Sequence, residues 1–433
     1  MNFKQVIYVV ISSALLILFI FLSILFIPSA PRLNSGLNSK VIHFVNHITP
    51  AQKQIIDLFN ERNKGRIFVE PIDLPFEKFS TNERKELLAR FLRSKSDRID
   101  VFTVDQIWVP RFAKWSLPLE QYFSPGEREN LLKYALETCY FNDTLVTIPL
   151  YLDVSVMYYR KDLLKSFNIN SKVFDDINKS LTWQELINIY KQSFRGYNPY
   201  FLFPADDYEG LMCMFWEMVK GLGSDIFMDG RLNLHSPKVK RSLQMMVDLV
   251  NKYKVTPGSV TNGRENECIA DFLQNRGIFL RSWPGLLTDH GDLINDPQIR
   301  DQIVKAPTPH FSDGKPVSVF GGWNLMVSKF SKNIPESIEF VKFLCSEESQ
   351  RILHEKGGYL PIYESLYDEG NKDLLFYYKL IKQGIHRPIH EHYTNISDVL
   401  SYYFNLAIKG EISVNTALDL AEEKIKASAM LEN

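Results

Sequence analysis

The sequence predicts an α/β protein of two lobes joined by a hinge, with an apolar helix ahead of them. Three observations predict this. The chain has 433 residues, more than one hydrophobic core ordinarily organises. Strand-rich stretches (41–149 and about 303–345) alternate with helix-rich ones (156–281 and about 361–433), so the chain must pass between two bodies more than once. The stretch Leu145–Leu164, LVTIPLYLDVSVMYYRKDLL, reads as two apolar extended runs in succession, the form of a first crossing. Its Pro149–Asp153 portion is the expected hinge, with Val156 beginning the second lobe. Lobe 1 is therefore expected over residues 40–149 and 303–355, and a helix-rich lobe 2 over 150–302 and 356–433.

Ahead of the lobes, Val6–Ile27 is almost wholly apolar and carries no charge. At roughly 1.5 Å per residue it can cross a hydrocarbon core of ~30 Å. Residues 1–30 are expected to act as an uncleaved signal anchor, a transmembrane helix. The alternative is a cleaved signal peptide, for which Ala30 could mark the end, although Pro31 follows it. Residues 31–39, rich in Pro, Ser, Gly and Asn, read as a linker. Either way the bulk of the chain is expected outside the cytoplasm. A net charge of −1, from 50 basic and 51 acidic residues, offers no basic field for nucleic acid. Cys139, Cys213, Cys268 and Cys345 form no CxxC and read as isolated core thiols, their disulfide state left open.

The elements follow in order. Val41–Asn46, Arg66–Glu70 and Asp100–Val104 read as strands, and Pro50–Asn60 and Asn82–Arg93 as the helices between them. That alternation is an α/β order. Ser124-Pro125-Gly126 is a turn before a helix expected to run through Glu137. Thr182-Trp-Gln-Glu185 is a capping box opening the helix Trp183–Gln192. Tyr208–Val219 and Pro237–Tyr253 are apolar helices separated by an Asp229-Gly230 turn; their Met and Leu stripe reads as core packing. Asn266–Leu273 is expected to be helical, and Gly277–Ser282 a strand that Trp283-Pro284-Gly285 ends. Ile303–Pro307 and Val317–Phe320 read as strands, and Gly321–Asn324 as a glycine-marked break before Leu325–Ser328. Pro335 opens a helix to Leu344, a position its fixed φ suits, and Glu347–Glu355 makes another. Lys356–Pro361 interrupts, and the remainder is expected to be helical apart from Gly384–His392.

Two places stand out chemically. Tyr151 and Asp153, two apart in an extended run, present a ring and a carboxylate on one face. Asp105 sits at the C-terminal end of a strand, the edge where open α/β sheets bind ligands, and ligand contact is favoured there over the alternative of a cap on the next turn. Trp108 fits either core or ligand wall. His386, His390 and His392 cluster, but no partner completes a metal set, so no metal and no cofactor is expected.

Several ordered motifs together resemble a known family. They are DVFTVDQIWVPRF (Asp100–Phe112), IPLYLDVSVMYYRKDL (Ile148–Leu163), TWQEL (Thr182–Leu186), YEG (Tyr208–Gly210), SWP (Ser282–Pro284), GGWNLMVS (Gly321–Ser328) and Arg387-Pro388. The chain resembles the solute-binding proteins of bacterial ABC sugar importers, in the branch that binds trehalose, maltose and related α-glucosides. The resemblance covers essentially everything after residue 40. It implies the two-lobe periplasmic-binding-protein fold, a di- or oligosaccharide ligand, and ABC permease subunits with their ATPase as partners. It implies sugar contacts at Asp105, Tyr151, Asp153, Trp283, Gly322, Trp323 and Arg387. Two departures matter. His47-Ile-Thr-Pro50 stands where the family often has an acidic contact, which leaves the sugar open, and no lipid-anchoring cysteine follows the apolar run.

These residue types suit a sugar. Carboxylates accept hydrogen bonds from hydroxyls, an arginine donates them, and charge strengthens both. Tyr and Trp offer flat apolar surface to the C–H faces of a ring. A binding protein without catalysis is the leading expectation. A glycoside-processing enzyme using Asp105 and Asp153 as acid and base is one alternative. A membrane-anchored sugar receptor for signalling is another.

Overall fold

The computed structural model describes residues 39–431 apart from 76–78, 80, 96, 229–230, 295 and 369. The expected anchor, nearly all of the linker and the Asp229-Gly230 turn lie outside the described residues. Among those described, no helix is long and apolar enough to cross a membrane.

Two sheets organise the chain. The first has the order Gly384–Ile385, Ser318–Val327, Val101–Asp105, Lys40–Asn46, Ile67–Asp73, with Ile148–Val154 also paired to Ser318–Val327. Its Lys40–Asn46 strand is parallel to both neighbours, as expected where helices Pro50–Arg62 and Thr81–Arg93 make the crossovers. The helix Pro50–Arg62 opens on a capping box in which Thr49 and Gln52 satisfy each other's backbone amides. The second sheet has the order Ile303–Ala306, Val156–Arg160, Phe279–Ser282, Phe201–Leu202. The expected capping box at Thr182 and Glu185 is present on Trp183–Ser193.

The crossing falls at Ser155. Its neighbours on the N-terminal side pair with Phe320–Leu325, and those on the C-terminal side pair with Phe279–Ser282. Ser155 is buried, and its amide and hydroxyl both bond to Val319, at 3.0 and 2.9 Å. Pro149–Asp153 is thus a paired strand of the first sheet, not the hinge. The other expected boundaries move for the same reason. Ile303–Ala306 pairs with Val156–Arg160 and so belongs to the second sheet. Leu360 bridges to Leu152, and Gly384–Ile385 pairs with Ser318-Val319, so much of 356–385 serves the first sheet. The helices Tyr393–Lys409 and Val414–Leu431 pack on Pro237–Asn251 of the second lobe.

Two further expectations fail. The helix foreseen up to Glu137 is broken into Pro125–Glu129 and Lys133–Leu136, because Leu131 bridges to Tyr363 and the amide of Leu132 bonds to Ile362 O at 2.7 Å. Gly321–Asn324 is no break: Ser318–Val327 is one strand, buried throughout, with a register shift between Trp323 and Asn324.

Candidate functional site

Strand register builds the site. Trp323 lies opposite Asp105 on one neighbouring strand and Tyr151 on the other. Directly paired residues point to the same face, so a carboxylate, an indole and a phenol line up across three strands. Asp153 lies opposite Gly321, which has no side chain to cover it. A Cβ on Gly321 would stand 3.0 Å from the Trp283 ring and 3.3 Å from Asp153 Cβ. The missing side chain thus lets an indole from the second lobe reach the first sheet. Gly322 has φ +126°, and a Cβ there would meet Tyr151 O at 2.5 Å. No other residue fits that approach.

These residues surround one cavity of about 690 Å³ between the lobes, a size typical of small-molecule sites. All seven residues singled out from the sequence line it: Asp105, Tyr151, Asp153, Trp283, Gly322, Trp323 and Arg387. Trp108 does not. It is buried, packs edge-on against Trp323 with ring centres 5.2 Å apart, and supports that ring from behind.

Arg387 ties the lobes together. One of its terminal nitrogens donates to Asp105 Oδ1 at 2.7 Å, and the other to Glu209 Oε1 at 3.1 Å. Asp105 belongs to the first sheet, whereas Glu209 opens the helix Glu209–Gly221 of the second lobe. Glu209 also accepts from the Tyr393 hydroxyl at 2.9 Å and from the Ser397 hydroxyl. Burial still holds the Glu209 carboxyl above its ordinary range, with Arg387 opposing that rise. Both readings of Asp105 hold at once, since its Oδ1 also caps the next turn by accepting the Ile107 amide at 3.1 Å.

Asp153 is a different kind of carboxylate. It has no hydrogen bond or ion pair to another described residue. Burial pushes it up to about 8, aided by Asp289 and Asp105 and opposed by Arg387. The Tyr151 hydroxyl has no hydrogen-bond partner among the described residues either, and its ring packs at a tilt of 32° against Tyr359, with ring centres 4.3 Å apart.

Several lining or supporting residues were not foreseen. Glu209 lay within the YEG motif without being singled out. Tyr359 follows the Gly357-Gly358 pair. Asp289 follows the turn at Gly285, and Arg84 lays its guanidinium 4.4 Å above the Trp323 ring. Burial lowers Arg84 to about 10. On the far side, the Arg281 guanidinium sits 4.4 Å from the Trp283 ring while bonded to buried Glu217. Both indoles of the cleft are therefore backed by a cation. His390 and His392 lie side by side with ring centres 5.5 Å apart, while His386 pairs with Glu137 at 2.9 Å, and no metal-holding cluster exists among the described residues. The four cysteines are buried free thiols.

Comparison with known proteins agrees with this architecture. A Deinococcus radiodurans protein described as a probable ABC transporter-binding protein is 26% identical over 351 residues, spanning 77% of this chain and 80% of that one. The solved structure of maltose-bound T. maritima MalE3 superposes with a TM-score of 0.79 at 26% identity, covering 89% of this chain and 99% of that one. A solute-binding protein from Thermotoga lettingae, bound to α-D-tagatose, gives a TM-score of 0.77 at 21% identity over 90% of this chain and 98% of that one. Residues 46–351 match the family described as bacterial extracellular solute-binding protein, and the chain belongs to that family.

Proposed function

We propose that this chain is the substrate-binding component of an ABC-type import system that holds a di- or oligosaccharide, such as trehalose or maltose, in its interlobe cleft. The row Asp105–Trp323–Tyr151, faced by Trp283 from the other lobe, carries the reading. It combines hydrogen-bond acceptors with flat aromatic walls, the chemistry that hydroxyl edges and C–H faces need. Tyr151, Asp153, Gly322 and Arg387 complete the ligand shell on this reading. Closure of the lobes on the sugar would present a shaped surface to permease subunits, while residues 1–30 would anchor the protein at the outer face of the membrane. Catalysis is disfavoured, because Asp105 Oδ1 already accepts from Arg387 and the Ile107 amide, and its Oδ2 accepts from Arg387 at 3.4 Å.

Calorimetric titration with trehalose, maltose, sucrose and glucose tests the reading. Saturable heat with at least one disaccharide is expected. Absence of heat and of a thermal shift with every sugar would refute it. Sugar uptake in a deletion strain separates import from sensing, since import predicts loss of uptake.

A further inference from the structure

Six carboxylates line the cleft (Asp105, Asp153, Glu209, Glu265, Glu267 and Asp289) against Arg264, Lys356, Arg387 and the imidazoles of His47 and His290. Most are already committed. Arg387 holds Asp105 and Glu209, and Arg264 pairs with Asp206 at 2.8 Å. Glu265 accepts the Tyr208 hydroxyl at 2.6 Å, and Glu267 accepts the Arg264 amide at 2.9 Å. Lys356 is exposed near the end of its helix and is not among the charges that act on Asp153.

Asp153 and Asp289 remain. Neither has a hydrogen bond or ion pair to a described residue. They approach the cavity from opposite lobes, and each faces the Tyr151–Tyr359 pair. Asp289 is also the strongest charged influence on Asp153, and together with burial it keeps the Asp153 proton on near neutral pH. An independent feature marks this spot as a ligand position. Tyr151 is 7% exposed and lines the cavity, yet its hydroxyl has no partner among the described residues. The side chain is buried while its hydroxyl opens on the cavity, where a ligand can bond to it.

A neutral hydroxyl can bond to either group but brings the pair no counter-charge. A cationic donor placed between them bonds to each and favours the charged form of both. We propose that Asp289 is a further ligand-binding residue, and that with Asp153 it selects saccharides carrying a protonated amino group over their neutral counterparts. This rests on the reading of the cleft as a saccharide site and names the ligand class more closely.

The test uses the full chain in detergent near neutral pH. Trehalose and maltose are titrated calorimetrically beside analogues in which an amino group replaces one hydroxyl. At least one amino analogue is expected to bind about tenfold more tightly than its parent, the difference between a charged and a neutral hydrogen bond. Asp289→Asn, which keeps the shape, should bring the two affinities to within about twofold. Amino analogues that bind no better than their parents would overturn the inference while leaving the saccharide reading intact. Selectivity that survives Asp289→Asn would overturn it as well. Failure of every saccharide to bind would end both.

Discussion

Replacing Arg387 with alanine would remove the one side chain among the described residues that holds carboxylates of both lobes. Its guanidinium is 3% exposed, and the Asp105 and Glu209 side chains are 12% and 10% exposed. The change leaves two buried carboxylates of like charge facing one another. Breaking a buried pair in this way costs about 3–5 kcal/mol. Glu209 keeps Tyr393 and Ser397 as donors, so the lower end, about 3 kcal/mol, is expected. Urea unfolding of the ligand-free protein measures this as a fall in the midpoint at constant slope. The pH dependence gives a second reading. Glu209 already has a raised carboxyl, and losing Arg387 raises it further. A raised acid binds its proton more tightly when folded, so its contribution is favourable at low pH and is lost as pH rises. The deficit of Arg387→Ala should therefore shrink between neutral pH and about pH 4.5. Arg387→Lys, which keeps the charge without the fork, should fall between wild type and alanine. A loss below about 1 kcal/mol at neutral pH, or one that does not change with pH, would refute the clasp.

Two other outcomes follow from the geometry. Asp153 is raised to about 8, so the folded state should lose stability as pH climbs from about 4 to about 8. Asp153→Asn should match wild type near pH 4 and unfold a few degrees higher near pH 8, as thermal denaturation of the ligand-free protein would record. Gly358 has φ +67°, and a Cβ there would lie 2.4 Å from Gly285 Cα of the facing lobe. Through that clash Gly358→Ala should hinder closure, weakening sugar binding by about fivefold for about 1 kcal/mol lost in the closed form. Calorimetry and the radius of gyration with and without sugar would detect this.

Local signals in the sequence carried much of the fold. Caps at Thr182, the apolar run of Ile148–Val154 and the alternation of strands and helices each depend on near neighbours, and each is present. Lobe boundaries were less legible, because strand pairing decides them over long separations. Ile303–Ala306 joins Val156–Arg160 rather than the strand that follows it in sequence. Gly321-Gly322 looked like a break for a local reason, since two glycines usually interrupt a strand. Here they are what the strand requires: one makes room for Trp283, and the other allows the close approach of Tyr151 O. Within the cleft, the residues set in recognisable motifs were legible. Arg84, Asp289 and Tyr359 were not, because their place depends on how the lobes meet rather than on their own neighbours.

The most direct test of the central claim is a side-by-side calorimetric titration of wild type and Asp153→Ala with trehalose and maltose. Asp153 sits where the first sheet meets Trp283 of the second lobe and has no partner to lose. Its removal should leave the fold intact. The account predicts saturable binding of at least one of these sugars to wild type and a loss of about a hundredfold or more in the variant, with an unchanged unfolding transition near pH 4. Equal affinities in the two proteins would contradict it.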